Sequence, residues 1–145
     1  MSAKDGFETS LLQHIMQNSA LTGIGDAGGL LPSATSGSFY VALYTTAPTD
    51  STSGTEANYT GYARVGVARN SGGWTVSGNN ASNTAAITFG QCSAGTNTLL
   101  AFALCKAGTT GIDDQLLFGA ITPNLSVSTG ITPEFAIGDL DINLD

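Results

Sequence analysis

From Ser38 onward the chain sets short apolar runs between breaks rich in Gly, Asn, Thr and Ser. The last stretch shows the pattern most clearly. Phe135, Ile137, Leu140, Ile142 and Leu144 are apolar, and the last three alternate with Asp139, Asp141, Asn143 and Asp145. A period of two puts successive side chains on opposite faces of a strand, one buried and one wet. Residues 39–44, Phe-Tyr-Val-Ala-Leu-Tyr, are aromatic and β-branched and stop at Ala47-Pro48-Thr49-Asp50, which reads as a strand and its end. Further strands are predicted over 62–68, 73–76, 85–89, 99–105, 115–122, 125–128 and 134–144, with most of the breaks rich in Gly. About eight short strands at this spacing predict an all-β fold, a jelly-roll-like antiparallel β-sandwich.

One segment departs from that period. Phe7, Leu11, Leu12, Ile15 and Met16 recur at the spacing of one helix face, predicting a helix over 4–18. Ser2 or Asp5 is placed to cap it, and Asp5 and Glu8 suit its positive N-terminal end. After Asn18 the periodicity lapses and Gly23, Gly25, Gly28, Gly29, Pro32 and Gly37 accumulate, as in a hinge or irregular arm. The expected organisation is an N-terminal helix on a Gly-rich flexible arm, 1–37, followed by a β-sandwich domain, 38–145. A lone helix of this length is marginal in water, so its stripe must dock on its own sheet or on a neighbouring subunit.

Charge changes what the surface is for. Charged residues make up 10% of the chain, where an ordinary soluble domain carries about 25%. Small neutral polar groups, or other proteins, must cover the rest. The net charge of −7 and the scattered cations Lys4, Arg64, Arg69 and Lys106 argue against nucleic acid and against an anionic membrane. No stretch reaches the roughly 20 apolar residues of a bilayer span, and residues 1–13 lack the apolar core of a secretory signal. Cys92 and Cys105 read as small buried hydrophobes, with a disulfide between neighbouring strands as the alternative. Four metal ligands of the usual kinds are not apparent.

Five features imitate chemistry. Gly23-Ile-Gly-Asp-Ala-Gly28 has the letters of a dinucleotide fingerprint, but that motif needs a strand before it and a helix after it, and here a helix precedes. Asp139-Leu-Asp-Ile-Asn143 imitates the start of a calcium loop whose Gly and Glu are missing; an acidic row on one strand face explains the spacing. His14 sits at the edge of the helix stripe without the partners of a triad. Asp113-Asp114 reads as a solvated turn. Tyr40 and Tyr44 share one strand face, while Tyr59, Tyr62 and Trp74 are candidate surface contacts for a carbohydrate, although such rings more often pack. No catalytic, cofactor-binding or metal-ligating residue is expected.

An ordered set of segments resembles a family of small tailed-bacteriophage virion proteins. The pieces are Phe39-Tyr-Val-Ala-Leu-Tyr-Thr-Thr-Ala-Pro48, Gly54-Thr-Glu56 and Gly61-Tyr-Ala-Arg64, then Asn83-Thr-Ala-Ala-Ile-Thr-Phe89, Leu117-Phe-Gly-Ala-Ile-Thr122 and Ile137-Gly-Asp-Leu-Asp-Ile-Asn-Leu144. Ala101-Phe-Ala-Leu-Cys-Lys106 departs from the Val-Gly-Ile-Phe-Asp-like strand of the family. The resemblance implies a structural protein of the phage particle; relatives are often labelled tail-fibre proteins, and the size and fold also resemble capsid decoration, or cement, proteins. The leading expectation is a capsid decoration protein, made in the bacterial host cytoplasm, that sits on the capsid surface of the virion as a homo-oligomer. It would bridge neighbouring subunits of the major capsid protein, with Phe7, Leu11, Ile15 and Met16 as arm anchors. The alternative is a tail-associated or receptor- or glycan-binding module. An enzyme would instead need a deep pocket of convergent titratable groups.

Overall fold

Helix α1 (Asp5–Gln17) follows Lys4, which makes no side-chain capping bond, and stops at Asn18 in the left-handed conformation with φ 55°. Asp5 is therefore not the cap; it lies in the first turn, where its charge suits the helix dipole. Asn18 accepts this backbone because its short amide bonds locally. Its carboxamide donates to the Ser33 carbonyl at 2.9 Å and accepts from the Ser33 N–H at 2.8 Å. The structure, a computed structural model, describes residues 3–25, 28–109 and 114–144. The capping candidate Ser2 lies outside them, as do Asp26 and Ala27 of the fingerprint imitation.

Among the described residues ten strands follow: β1 (Ser38–Thr46), β2 (Thr55–Glu56), β3 (Val65–Ala68), β4 (Trp74–Ser77), β5 (Asn80–Asn83), β6 (Ile87–Thr88), β7 (Asn97–Cys105), β8 (Gln115–Val127), β9 (Glu134–Phe135) and β10 (Asp141–Asn143). They form a five-stranded sheet in the order β2-β1-β7-β8 with β3 also on β1, a three-stranded sheet β10-β5-β4, and the pair β6-β9. The pairs β1–β2, β1–β7, β7–β8, β4–β5 and β5–β10 are antiparallel. The class is all-β with one N-terminal helix, as the alternation predicts.

The chain gathers into two compact units: one takes in Met1–Ser38, Val67–Ile87 and Phe135–Asp145, the other Phe39–Gly66 and Thr88–Glu134. In the first unit α1 packs on β4 and β5. Leu12 and Met16 on the helix and Trp74 and Ala81 on the strands are all buried. Polar bonds fix the docking. The Thr9 hydroxyl lies 2.8 Å from the Gly78 carbonyl, the Gln17 amide donates to the Trp74 carbonyl at 2.7 Å, and the Arg69 guanidinium donates to the Ile15 and His14 carbonyls at 2.6 and 3.0 Å. Those carbonyls lie in the last turn of the helix, where a cation is favoured. The Gly-rich segment is pinched at its neck, where Leu21 and Leu30 exchange two backbone bonds of 2.9 Å.

Residues 80–83 correct the sequence reading. Asn-Ala-Ser-Asn carries no β-branched or aromatic residue and reads as part of a break, yet β5 is the central strand of its sheet. Gly78, at φ 60°, takes the first position of a two-residue hairpin between Ser77 and Asn80, the place where such a turn needs a left-handed backbone. The strand expected over 134–144 is also interrupted, since residues 136–140 turn. Asn83 holds that turn: its buried amide donates to the Ala85 and Ala136 carbonyls at 2.8 Å each and accepts from the Leu140 N–H at 2.9 Å. Ile137 is therefore turned outward while Leu140 and Ile142 stay buried. Replacing Asn83 by Ala leaves three backbone groups without their partner and is expected to cost about 2 kcal/mol. Urea unfolding followed by far-UV circular dichroism measures it, and a variant as stable as the parent would rule the turn lock out.

In the second unit Tyr40, Ala42 and Tyr44 of β1 lie opposite Cys105, Ala103 and Ala101 of β7 and share one buried face. Small residues across from the tyrosines leave room for the rings. Gly119 of β8 lies opposite Phe102, and a Cβ there would sit 2.9 Å from the ring Cζ. The strand continues to Val127 because residues 121–124 bulge out of the ladder between the pairs Ala101–Ala120 and Leu99–Leu125. Pro123, which has no N–H to give, falls in that bulge.

Candidate functional site

The most concentrated chemistry lies in the second unit, where loops converge on Arg64. Glu56 comes from β2, Tyr62 and Arg64 from the turn before β3, and Asp114 from the residue before β8. The Arg64 side chain is 2% exposed, with Glu56 at 10% and Asp114 at 8%. Its Nε and Nη2 reach the two Glu56 oxygens at 2.8 and 2.9 Å, a bidentate fork. Its Nη1 donates to the Ala107 carbonyl at 2.8 Å and to Asp114, and Nη2 also faces Asp114 at 3.5 Å. Every N–H of the guanidinium meets an acceptor, which is what makes burial of a charge tolerable.

Neutral donors extend the cluster. Tyr62 donates its hydroxyl hydrogen to Glu56 at 2.7 Å and accepts from the Leu43 N–H at 3.0 Å, which ties the turn to β1. The Gln115 amide donates to the Tyr44 hydroxyl at 2.9 Å, and that hydroxyl lies 3.9 Å from Cys105 Sγ. Burial works against the Arg64 charge, but the hydrogen bonds it donates to Glu56 and Asp114 outweigh it and hold the guanidinium charged. Burial pushes the Tyr44 and Tyr62 hydroxyls up; Gln115 and the Leu43 N–H oppose this only in part. Burial likewise pushes the Cys105 thiol up to about 11.

These shifts have one sign. All three groups are raised, so the folded chain keeps them neutral while the unfolded chain ionises. The stability they lend is whole below the ordinary thiol range, about pH 8.5, and is lost as pH climbs towards and through 11. The melting temperature is expected to fall between about pH 9 and pH 11. A flat profile by circular dichroism over that interval would show that these groups do not matter.

The cluster acts as a staple. Its acid, base and hydroxyl groups are engaged with one another, and they pin the segments carrying Glu56, Tyr62 and Asp114 to the sheet. The sequence placed none of this. Arg64 counted as a scattered cation, and Asp114, read as half of a solvated turn, is buried; Asp113 lies outside the described residues. The available signal was that Thr-Glu56 and Gly61-Tyr-Ala-Arg64 both belong to the resembling set.

The expected contact residues fall elsewhere. Tyr59 and Trp74 are buried, and Tyr62, edge-on to Tyr59 with ring centres 5.5 Å apart and stacked on Phe89 at 6.2 Å, has its hydroxyl inside the cluster. They are a packed aromatic group and a core ring, not an exposed platform, because the hydrophobic gain of burying these rings exceeds that of leaving them wet. Of the arm anchors, Met16 is buried within its own unit, Leu11 and Ile15 are half-buried, and Phe7 is exposed. His14 donates from Nδ1 to the Ser19 carbonyl, 2.7 Å away. Asn80 bridges Asp141 and Asn143 of the acidic row at 3.1 and 3.0 Å. Cys92 and Cys105 are both buried free thiols. Two shallow depressions mark the surface of this unit. Thr49, Asp50, Thr52, Leu116 and Phe118 line one; Thr45, Asn58, Asn97, Thr98 and Ser126, all neutral and polar, line the other.

The family model described as Podophage GP4 fiber I protein gp80 matches residues 2–143. No curated protein matches the chain.

Proposed function

The chain belongs to the Podophage GP4 fiber I protein gp80 family, tailed-phage virion structural proteins, and from that premise we propose a tail-associated fibre component that acts by binding other virion subunits and catalyses nothing. The observation that carries the reading is the family match along nearly the whole length of the chain, since the family description names a fibre. The site chemistry agrees with it. The polar groups around Arg64 answer one another, as suits a load-resisting module rather than a reaction centre.

Decoration of the capsid, the leading expectation from the sequence, fits the family description less well than a tail fibre does. It drew on low charge, many neutral hydroxyls and a helix on a Gly-rich tether, and of these the helix buries Leu12 and Met16 in its own unit. Labelling intact particles with an antibody to this chain, viewed by electron microscopy, separates the two placements. Label on the tail is expected; label over the head surface would reject the tail reading and restore capsid decoration.

A further inference from the structure

We propose that the depression between the Thr49–Thr52 turn and the start of β8 binds the ring of a neutral hexose, a second function beside assembly. Its volume is about 530 Å³, within the roughly 300–1,000 Å³ of small-molecule sites. The lining divides in two. Leu116 and Phe118 supply apolar surface and are 47% and 44% exposed. The turn residues and Gln115 supply hydroxyl, carboxylate and amide groups.

A pyranose is divided in the same way. Its C–H groups make one flat apolar face, which packs on an aromatic ring, and its hydroxyls stand around the edge as donors and acceptors. The acceptors in the depression suit those hydroxyls. Both amide hydrogens of Gln115 are taken, by the Tyr44 hydroxyl at 2.9 Å and the Ser53 carbonyl at 3.4 Å, so its carbonyl oxygen is the atom left for a ligand. The two oxygens of Asp50 can accept from a pair of adjacent hydroxyls, and a hydrogen bond to an ionised group is the stronger kind.

The polar wall is fixed before any ligand arrives. Thr49 and Thr52 exchange backbone hydrogen bonds of 2.9 and 3.3 Å, their hydroxyls lie 2.7 Å apart, and the Ser51 N–H donates to the Thr49 hydroxyl oxygen at 3.4 Å. Gln115 is held in turn by the buried Tyr44. Little ordering therefore remains to be done on binding.

Other small ligands fit less well. Asp50 is the one charged residue of the lining, and the chain around it carries a net −7, so uronates, sialates and phosphorylated sugars are repelled. A purely apolar ligand would strip water from Asp50 and Gln115 and give them no donor in return. A single cationic side chain would answer Asp50 alone and leave the Gln115 carbonyl and the turn hydroxyls without partners.

Two-dimensional NMR of the full chain, titrated with the methyl α-glycosides of glucose, galactose and mannose, tests the site. Glucuronate and arginine amide serve as charged controls. At least one hexoside should shift the amides of 49–53 and 115–118 along a saturating curve in the millimolar range, the strength expected of one ring in a half-open site. Many copies on a particle would raise that affinity by multivalency. Asp50→Ala, at an exposed turn position, should weaken binding of that hexoside about tenfold with an unchanged circular dichroism spectrum. Absence of a saturable shift with all three hexosides, or shifts confined to other residues, would overturn the proposal. So would glucuronate or arginine amide binding as well as the hexosides do, or an Asp50→Ala variant of undiminished affinity. Particle labelling reads tail placement separately, so either proposal can fail without the other.

Discussion

Replacing Arg64 by Met is expected to lower stability by about 3–5 kcal/mol, because it removes the only cation from a buried pair of carboxylates. Glu56 and Asp114 would keep their places at 10% and 8% side-chain exposure and would face each other without the guanidinium between them. Water cannot reach them well enough to compensate. The deficit should shrink on acidification, because a buried carboxylate without a partner binds a proton more readily than the same group in the unfolded chain. Below about pH 5 part of the loss should return. Removing all three charges together, as Arg64→Met with Glu56→Gln and Asp114→Asn, should be milder than the single change, since no buried charge then remains. Urea unfolding by circular dichroism decides this. A single variant within 1 kcal/mol of the parent would show that the ion pairs are loosely held and contribute little, as about the median surface pair does.

The second large effect concerns Trp74. Truncation to Ala is expected to cost about 3–5 kcal/mol, the range for emptying a large aromatic from a packed interior. Trp74→Phe should cost far less, about 1 kcal/mol, because two terms oppose. Ring volume is lost, but so is a buried indole N–H that has no hydrogen-bond partner among the described residues. A ring used to bind carbohydrate would behave differently, with stability preserved and adsorption to cells lost. Parallel measurement of thermal unfolding and of binding to a host polysaccharide separates the outcomes. Loss of binding with unchanged melting would return Trp74 to the surface.

The sequence made the strands of the second unit legible because their side chains carry the signal themselves. Residues 39–44 and 99–105 alternate or run apolar, and β1 and β7 occupy those positions, with Tyr40 and Tyr44 on one face as their parity requires. The helix was equally legible, since Leu12 and Met16 sit a turn apart and both are buried. β5 was not. Asn80–Asn83 has no propensity for a strand, and it is one because β4 and β10 supply hydrogen-bonding partners on both sides. The turn at 136–140 was missed for a related reason: the amide that holds it belongs to Asn83, more than fifty residues away.

The candidate site was hidden in the same way. Glu56 and Arg64 stand near each other in sequence, but Asp114 is 50 residues beyond Arg64, and spacing cannot report a distance that the register of β7 and β8 sets. What the order of residues determined alone is the class of fold, the helix, and the absence of charge along β8, because these follow from local chemistry repeated at a fixed period. Only the tertiary structure decided which charges meet, which rings are inside and which strand is left at the rim. Those outcomes depend on partners brought in from elsewhere in the chain, and desolvation makes each of them matter only once the partners have arrived.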